Sequence, residues 1–354
     1  MDWESAFEAA PVDWLLEEDN PSVRYFTLRD ILDLPEDRAE LNDAKEVIGG
    51  SKKVARIFRR QKPGGYWESE ALPYHPKYRA TYWQLIVLGL LGLDRRDERV
   101  RRTVEYIWRF QHEDGGFCSI KKEGAQIEYE AVKARMERRG QSPSPFEEWA
   151  PGEIKESEMS CLTGNVCVSL IRMGYAEDER VRRALDWLVE VQNMDGGWLC
   201  PYWRAHIRDK HGCFMGTITP LDAFAEYTER LRTPKMKEAI NRGAEFLLMH
   251  RLYKADHHDY RVINKSWLKL GFPRFSYDIL RGLDVVTRLG YTGDGRIDDA
   301  LELLLRKQGP DGSWLLEQTP GRMQTNLEQK GRPSKWITLN ALRVLKRVSK
   351  ARST

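Results

Sequence analysis

A chain of 354 residues with a formal net charge of +3, 41% hydrophobic and 31% charged, has material for a large core. Its near-neutral balance excludes a strong case for a nucleic-acid or anionic-membrane partner. The start, Met-Asp-Trp-Glu-Ser, lacks the basic and apolar regions of a signal peptide, and the longest apolar stretch, at 85–93, is too short to span a membrane. Five cysteines in such a chain favour thiols or a metal over a disulfide framework, and a cytoplasmic protein, free or peripheral to the membrane, is expected.

Along the chain, amphipathic helices with apolar residues three and four apart are expected at 54–61, 100–111, 181–192, 236–251 and 297–308, with an N-terminal one around 13–17. Four of them end in Gln, and a Gly turn and an aromatic residue follow. The copies are Gln61-Lys-Pro-Gly-Gly-Tyr66-Trp67, Gln111-His-Glu-Asp-Gly-Gly-Phe117, Gln192-Asn-Met-Asp-Gly-Gly-Trp198 and Gln308-Gly-Pro-Asp-Gly-Ser-Trp314. The copy at 236–251 keeps the helix but has lost the Gln and the Gly turn. Gly tolerates positive φ and stops the helix; the Gln is expected to hydrogen-bond backbone in the turn while the aromatic packs over it.

Between these lie helices that are apolar on most faces, at 22–32, 79–91, 160–173, 216–231, 275–289 and 334–348. Helices of that kind are buried, so the alternation predicts an outer ring around an inner ring of about six pairs. One closed barrel over 1–354 is the expected architecture, with an open helical solenoid as the alternative; the repeat spacing, about fifty to eighty residues, is longer than solenoid repeats use. The stretch 119–159 is a charged insertion with a helix at 128–138, read either as a lid or as a solvated excursion.

The four Gln-to-aromatic copies resemble the repeat of squalene–hopene and oxidosqualene cyclases and of protein prenyltransferase β subunits. The resemblance runs from Trp14 to Lys346 and implies an all-α fold, an α/α toroid with a central cavity open where the inner helices begin. It implies no reaction by itself. The Asp-x-Asp-Asp acid motif of class II cyclases is absent from the sequence, as is an Asp-Asp-x-x-Asp motif for magnesium diphosphate, and a second toroid does not fit this length. Asp278, in Phe275-Ser-Tyr277-Asp278, stands where the cyclase acid would. Burial against Tyr277 and Trp267 would raise its pKa and make it a general acid; the alternative is a helix N-terminal Asp held by the dipole.

In such a toroid Cys161, Cys200, His211 and Cys213 open inner helices or the loop joining them, all at one end. Three thiols and an imidazole match tetrahedral zinc, with His206 as an alternative to His211. Related toroids bind zinc at a comparable position, three protein ligands leaving an open catalytic site and four making a structural one. Cys118 and Cys167 read as buried thiols. His257 and His258 precede the fifth inner helix as candidates for a base, beside a polar-loop reading. Tyr82, Trp83, Trp203, Trp267, Phe275, Tyr277 and Trp336 lie near inner-helix starts, as cavity walls for cation–π contacts or as plain core. Arg24, Arg79 and Lys335 sit there too, for an anion or for pairing with carboxylates. The expected function is prenyl transfer or acid-initiated cyclisation or isomerisation of an isoprenoid or lipid-like small molecule in an apolar cavity. The alternatives are a non-catalytic zinc-stabilised binding module and lanthionine-type thiol addition.

Overall fold

The turn chemistry of the repeat explains how the chain closes. The computed structural model describes residues 3–200 and 210–352. In chain order its helices are α1 (Trp3–Glu8), α2 (Val12–Leu15), α3 (Pro21–Asp30), α4 (Ala39–Glu46), α5 (Lys52–Phe58), α6 (Thr81–Leu90), α7 (Glu98–Trp108) and α8 (Lys122–Glu137). They continue as α9 (Phe146–Glu156), α10 (Ser160–Leu170), α11 (Glu179–Glu190), α12 (Phe214–Glu226), α13 (Pro234–Met249), α14 (Ile279–Arg288), α15 (Asp298–Arg306) and α16 (Lys335–Arg352). Two short antiparallel strands, β1 (Lys254–Ala255) and β2 (Arg261–Val262), are the one sheet among the described residues.

Each repeat glutamine reaches the next outer helix. Nε2 of Gln61 donates to the Arg99 carbonyl, Gln111 to Arg180, Gln192 to Ala239 and Gln308 to Ala6, at 2.7–2.9 Å. Ala6 is in α1, so the last of these bonds joins the end of the chain to its beginning. The aromatic residue of each turn is fixed in two directions. The indole N–H of Trp67, Trp198 and Trp314 donates back to the outer helix just completed, at Ile57, Leu188 and Leu304. The backbone N–H of Trp67, Phe117, Trp198 and Trp314 donates forward to a threonine hydroxyl in the next inner helix: Thr81, Thr163, Thr217 and Thr338. A Gly is required at Gly312, where φ is +76° and a Cβ would lie 1.9 Å from the Ala9 carbonyl oxygen.

The inner ring is α3, α6, α10, α12, α14 and α16, with neighbouring contacts α6–α10, α10–α12, α12–α14, α14–α16 and α16–α3. Phe26 of α3 lies against Gly92 at the end of α6, which brings the first and second inner helices together. The tightest approach is α10 against α12, where Gly164 leaves no room for a Cβ beside the Thr219–Pro220 backbone, 2.5 Å away. The outer ring is α1, α5, α7, α11, α13 and α15. Its sixth member is therefore α1 rather than a helix around 13–17, where the four-residue α2 stands; the Gln308 bond to Ala6 decides this.

At the degenerate turn after the 236–251 helix a charge pair replaces the amide bond. Arg251 stands in the Gln position and, with Lys254, pairs to Asp299 in α15 at 3.1 and 2.6 Å. A second repeat accompanies the first at outer-helix starts. In Asp97-Glu-Arg99, Asp178-Glu-Arg180 and Asp294-Gly-Arg296 the Asp accepts from the backbone N–H and the guanidinium of the Arg two residues on. The insertion forms a helical hairpin, α8 packed on α9, around Ile120, Ala125 and Ala150. It rests on the loop before α6, with Gly124 against the Ala71 carbonyl.

Candidate functional site

Aromatic residues carried inward by the long loops divide the bore. Phe272 stacks on Trp336 at 4.5 Å and 11°, and Phe275 sits edge-on to Trp83 at 5.0 Å. Among the described residues, one cavity lies toward each end of the inner helices.

The cavity toward the inner-helix N-termini has a volume of about 190 Å³. Its walls are Tyr82, Trp83 and Ile86 of α6, Cys161, Leu162 and Asn165 of α10, Met215 of α12, and Tyr74, Lys77, Tyr78 and Phe275 from the loops. Two polar atoms of the wall are satisfied by backbone carbonyls. The Trp83 indole donates to the Tyr74 carbonyl at 2.8 Å, and the Tyr82 hydroxyl donates to the Cys118 carbonyl at 2.9 Å. Tyr78 stacks on Phe275 at 5.5 Å. Burial, reinforced by Cys213 close by, pushes the Cys161 thiol up to about 12, so it is a neutral apolar wall at pH 7. There is no carboxylate among the described lining residues of this pocket.

Its floor is polar. Arg281 of α14, 2% exposed, donates to the Asn165 side chain at 2.9 Å, to the Arg274 carbonyl at 3.1 Å and to Asp222 at 3.0 Å. Beyond that layer lies the second cavity, about 500 Å³, at the C-terminal ends of the six inner helices. Charged side chains dominate its lining, beside Phe26, Phe272 and Trp336. Asp284 takes Arg274 at 2.5 Å, and Arg347 and Arg288 as well. Glu226 takes Arg172 and Arg288 at 2.5 and 2.8 Å, and Asp30 takes Arg343. Burial disfavours ionisation of Asp222, but Arg288, Arg281 and Arg172 hold its carboxyl well below the usual range; Asp284 and Glu226 are depressed in the same way. These pairs tie α10, α12, α14, α16 and α3 together.

The residues singled out from sequence separate into groups. Asp278 is the N-cap of α14: one carboxylate oxygen accepts from the Arg281 N–H at 2.8 Å and the other from the Gly271 N–H at 2.9 Å. Burial raises its pKa against those two bonds, and it lines neither of the two cavities. Tyr277 is buried and donates to the Leu252 carbonyl at 2.6 Å. His257 and His258 are exposed in the β1–β2 hairpin, His257 beside Asp256 at 3.2 Å. Arg79 pairs with Glu68, Arg24 with Glu40, and Lys335 with Glu17 and Asp19.

For zinc, Cys161 and Cys213 are neighbours. The His211 ring packs on Phe246 and His250, with Nδ1 2.9 Å from the Gly212 carbonyl. Cys200 adjoins 201–209, so His206 and Trp203 lie outside the described residues. Among the described residues no group of three or more His, Cys, Asp or Glu is arranged to hold a metal. No described helix is long and apolar enough to cross a membrane.

No family model matches the sequence, and no curated protein matches it. Solved structures do. A protein from Actinoplanes aligns with 98% of this chain and 100% of its own at 18% identity and a TM-score of 0.48. The type II terpene cyclase MstE from Scytonema aligns with 100% of this chain and 99% of its own, at 15% identity and a TM-score of 0.48. A variant of that cyclase in complex with its substrate, geranylgeranyl dihydroxybenzoate, aligns with 99% and 98% at 15% identity and 0.47.

The layer of charge was missed from sequence, although it left a signal. Arg281, Asp284 and Arg288 recur three and four residues apart within a helix that is otherwise apolar on all faces. Ionisable residues at such positions are fully buried only when paired.

Proposed function

We propose that this chain is a terpenoid-cyclase-like toroid that binds a prenyl group, or an apolar moiety of similar size, in the aromatic pocket at the N-terminal end of its inner helices. The observation that supports it is the wall itself: Trp83, Tyr78, Tyr74 and Phe275 hold their rings 5.0–5.5 Å apart around one small apolar space. Burying aliphatic carbon there is favourable, and the ring faces would also stabilise a positive centre formed on the ligand. A dry cavity of roughly 150 Å³ takes a benzene molecule, so about 190 Å³ fits roughly five to ten carbons. One or two isoprene units match that size. Lys77 at the rim is placed to meet a polar or anionic head.

Prenyl transfer and acid-initiated cyclisation both remain compatible with such a ligand. Cyclisation needs a proton donor, and Asp278, the acid candidate, meets the pocket only through Arg281 and the floor. Binding of the prenyl group is therefore what the pocket itself supports.

The test is calorimetric titration with prenol, geraniol and farnesol, beside tetramethylammonium as a purely cationic probe. Wild-type protein should bind prenol or geraniol, and Ile86→Trp, which fills the pocket, should lose at least tenfold in affinity. Equal binding by both proteins, or preference for tetramethylammonium, would overturn the reading.

A further inference from the structure

The larger cavity, at the opposite end of the ring, has its own chemistry. Nine basic side chains and four acidic ones are among its described lining residues. The acids are already shared: Asp284 faces Arg274, Arg288 and Arg347, and Glu226 faces Arg172 and Arg288. The negative ends of the inner-helix dipoles absorb part of the excess, and Lys346 does so by donating to the Asp30 and Ile31 carbonyls at 2.9 Å. Two donors are left over. Nη2 of Arg274 and the indole N–H of Trp336 are buried without a hydrogen-bond partner, whereas Nε of Arg288 lies 3.4 Å from the Asp284 carboxylate. Arg274 is 7% exposed and Trp336 2%, and both line this cavity.

Buried donors without acceptors are rare and costly, and here two belong to residues that line one cavity. A group that supplies several acceptor oxygens and negative charge would satisfy them together. Guanidinium forks are suited to the oxygens of phosphate, and a low-dielectric cleft lined by one sign of charge concentrates the opposite ion. The volume, about 500 Å³, falls in the range of small-molecule sites and exceeds a bare phosphate. Phe26, Phe272 and Trp336 offer flat apolar surface beside the charges.

We infer that the cavity at the C-terminal ends of the inner helices is a binding site for a small phosphate-bearing polyanion, held by Arg274, Arg288 and Arg347. It is separate from the aromatic pocket, since the Arg281–Asp222–Asn165 layer stands between them, and it does not depend on what that pocket binds.

The probe is inorganic pyrophosphate, with inorganic phosphate and citrate as comparison anions at constant ionic strength, followed by calorimetry and thermal melting. Pyrophosphate should bind more tightly than phosphate and raise the melting temperature, while citrate, lacking phosphoryl oxygens, should bind at least tenfold more weakly. Arg274→Gln, which leaves Asp284 two arginine partners, should lower pyrophosphate affinity at least tenfold. Lys350→Glu, at the exposed rim, should lower it severalfold without touching the buried pairs, which keeps the test usable if Arg274→Gln fails to fold. Geraniol binding should be unchanged in Lys350→Glu. Absence of pyrophosphate binding, equal binding of citrate, or pyrophosphate affinity unchanged in Lys350→Glu would overturn the assignment.

Discussion

Arg281 and Asp222, 3.0 Å apart and both almost completely buried, form the partition between the two cavities and join α14 to α12. Such a pair gains Coulomb energy in a low dielectric but gives up the hydration of both ions, so its net contribution is small while the loss of one partner is not. Asp222→Asn would leave Arg281, Arg288 and Arg172 facing one carboxylate fewer. We expect a loss of about 3–5 kcal/mol in chemical denaturation. A loss below about 1 kcal/mol would mean that water reaches the layer and screens it.

Acid should unfold the protein from this same end. Asp222, Asp284 and Glu226 lie below their ordinary values in the folded chain; for Asp30 burial works against ionisation, yet Arg343 and Arg29 bring it down to about 2. A depressed carboxyl contributes stability that is complete above the unfolded pKa near 4 and is lost as pH falls through the folded one. Denaturation midpoints should be level down to about pH 4.5 and drop steeply between about 4 and 2. An acid limb centred well above pH 4 would contradict these assignments.

An opposite dependence is expected at the second repeat turn. His112, hydrogen-bonded to Cys118 and to buried Glu158, has its pKa raised to about 9. A raised imidazole contributes stability that is complete below about pH 6.5 and is lost as pH rises through 9, at most about 3 kcal/mol. His112→Gln should flatten stability across that window. An unchanged slope in the variant would show that other groups carry it.

Gln308 tests ring closure. Its amide donates to the Ala6 carbonyl and to the Gly312 carbonyl at 2.9 and 3.0 Å. Gln308→Ala should cost about 1–3 kcal/mol and raise amide exchange selectively in α1. Gln111→Ala, in the middle of the chain, should leave α1 protected. Equal exchange of α1 in both variants would contradict closure through this bond.

The ring was legible in the sequence because its instructions are local. Gln, a positive-φ Gly and an aromatic residue recur in fixed order, and each acts within one turn of its own helix and the next. The same locality made Asp278 readable as a helix cap as well as an acid, and its two backbone bonds fit the cap. The bore was not legible. Phe272 and Phe275 fill it from loops whose inward path no periodicity encodes. The clustering of charge at one end depends on Arg274, Arg288 and Arg347 meeting Asp284 across helices far apart in sequence. Cys161 and Cys213 lie close enough to influence one another, but which way the His211 ring turns is decided by Phe246 and His250 on another segment.

The most direct measurement of the central claim is a crystal of the protein soaked with a bromine-labelled prenyl alcohol, read by anomalous scattering. The account predicts a bromine peak in van der Waals contact with Trp83 and Phe275, and none in Ile86→Trp. A peak confined to the charged cavity at the other end, or one that persists in Ile86→Trp, would contradict it.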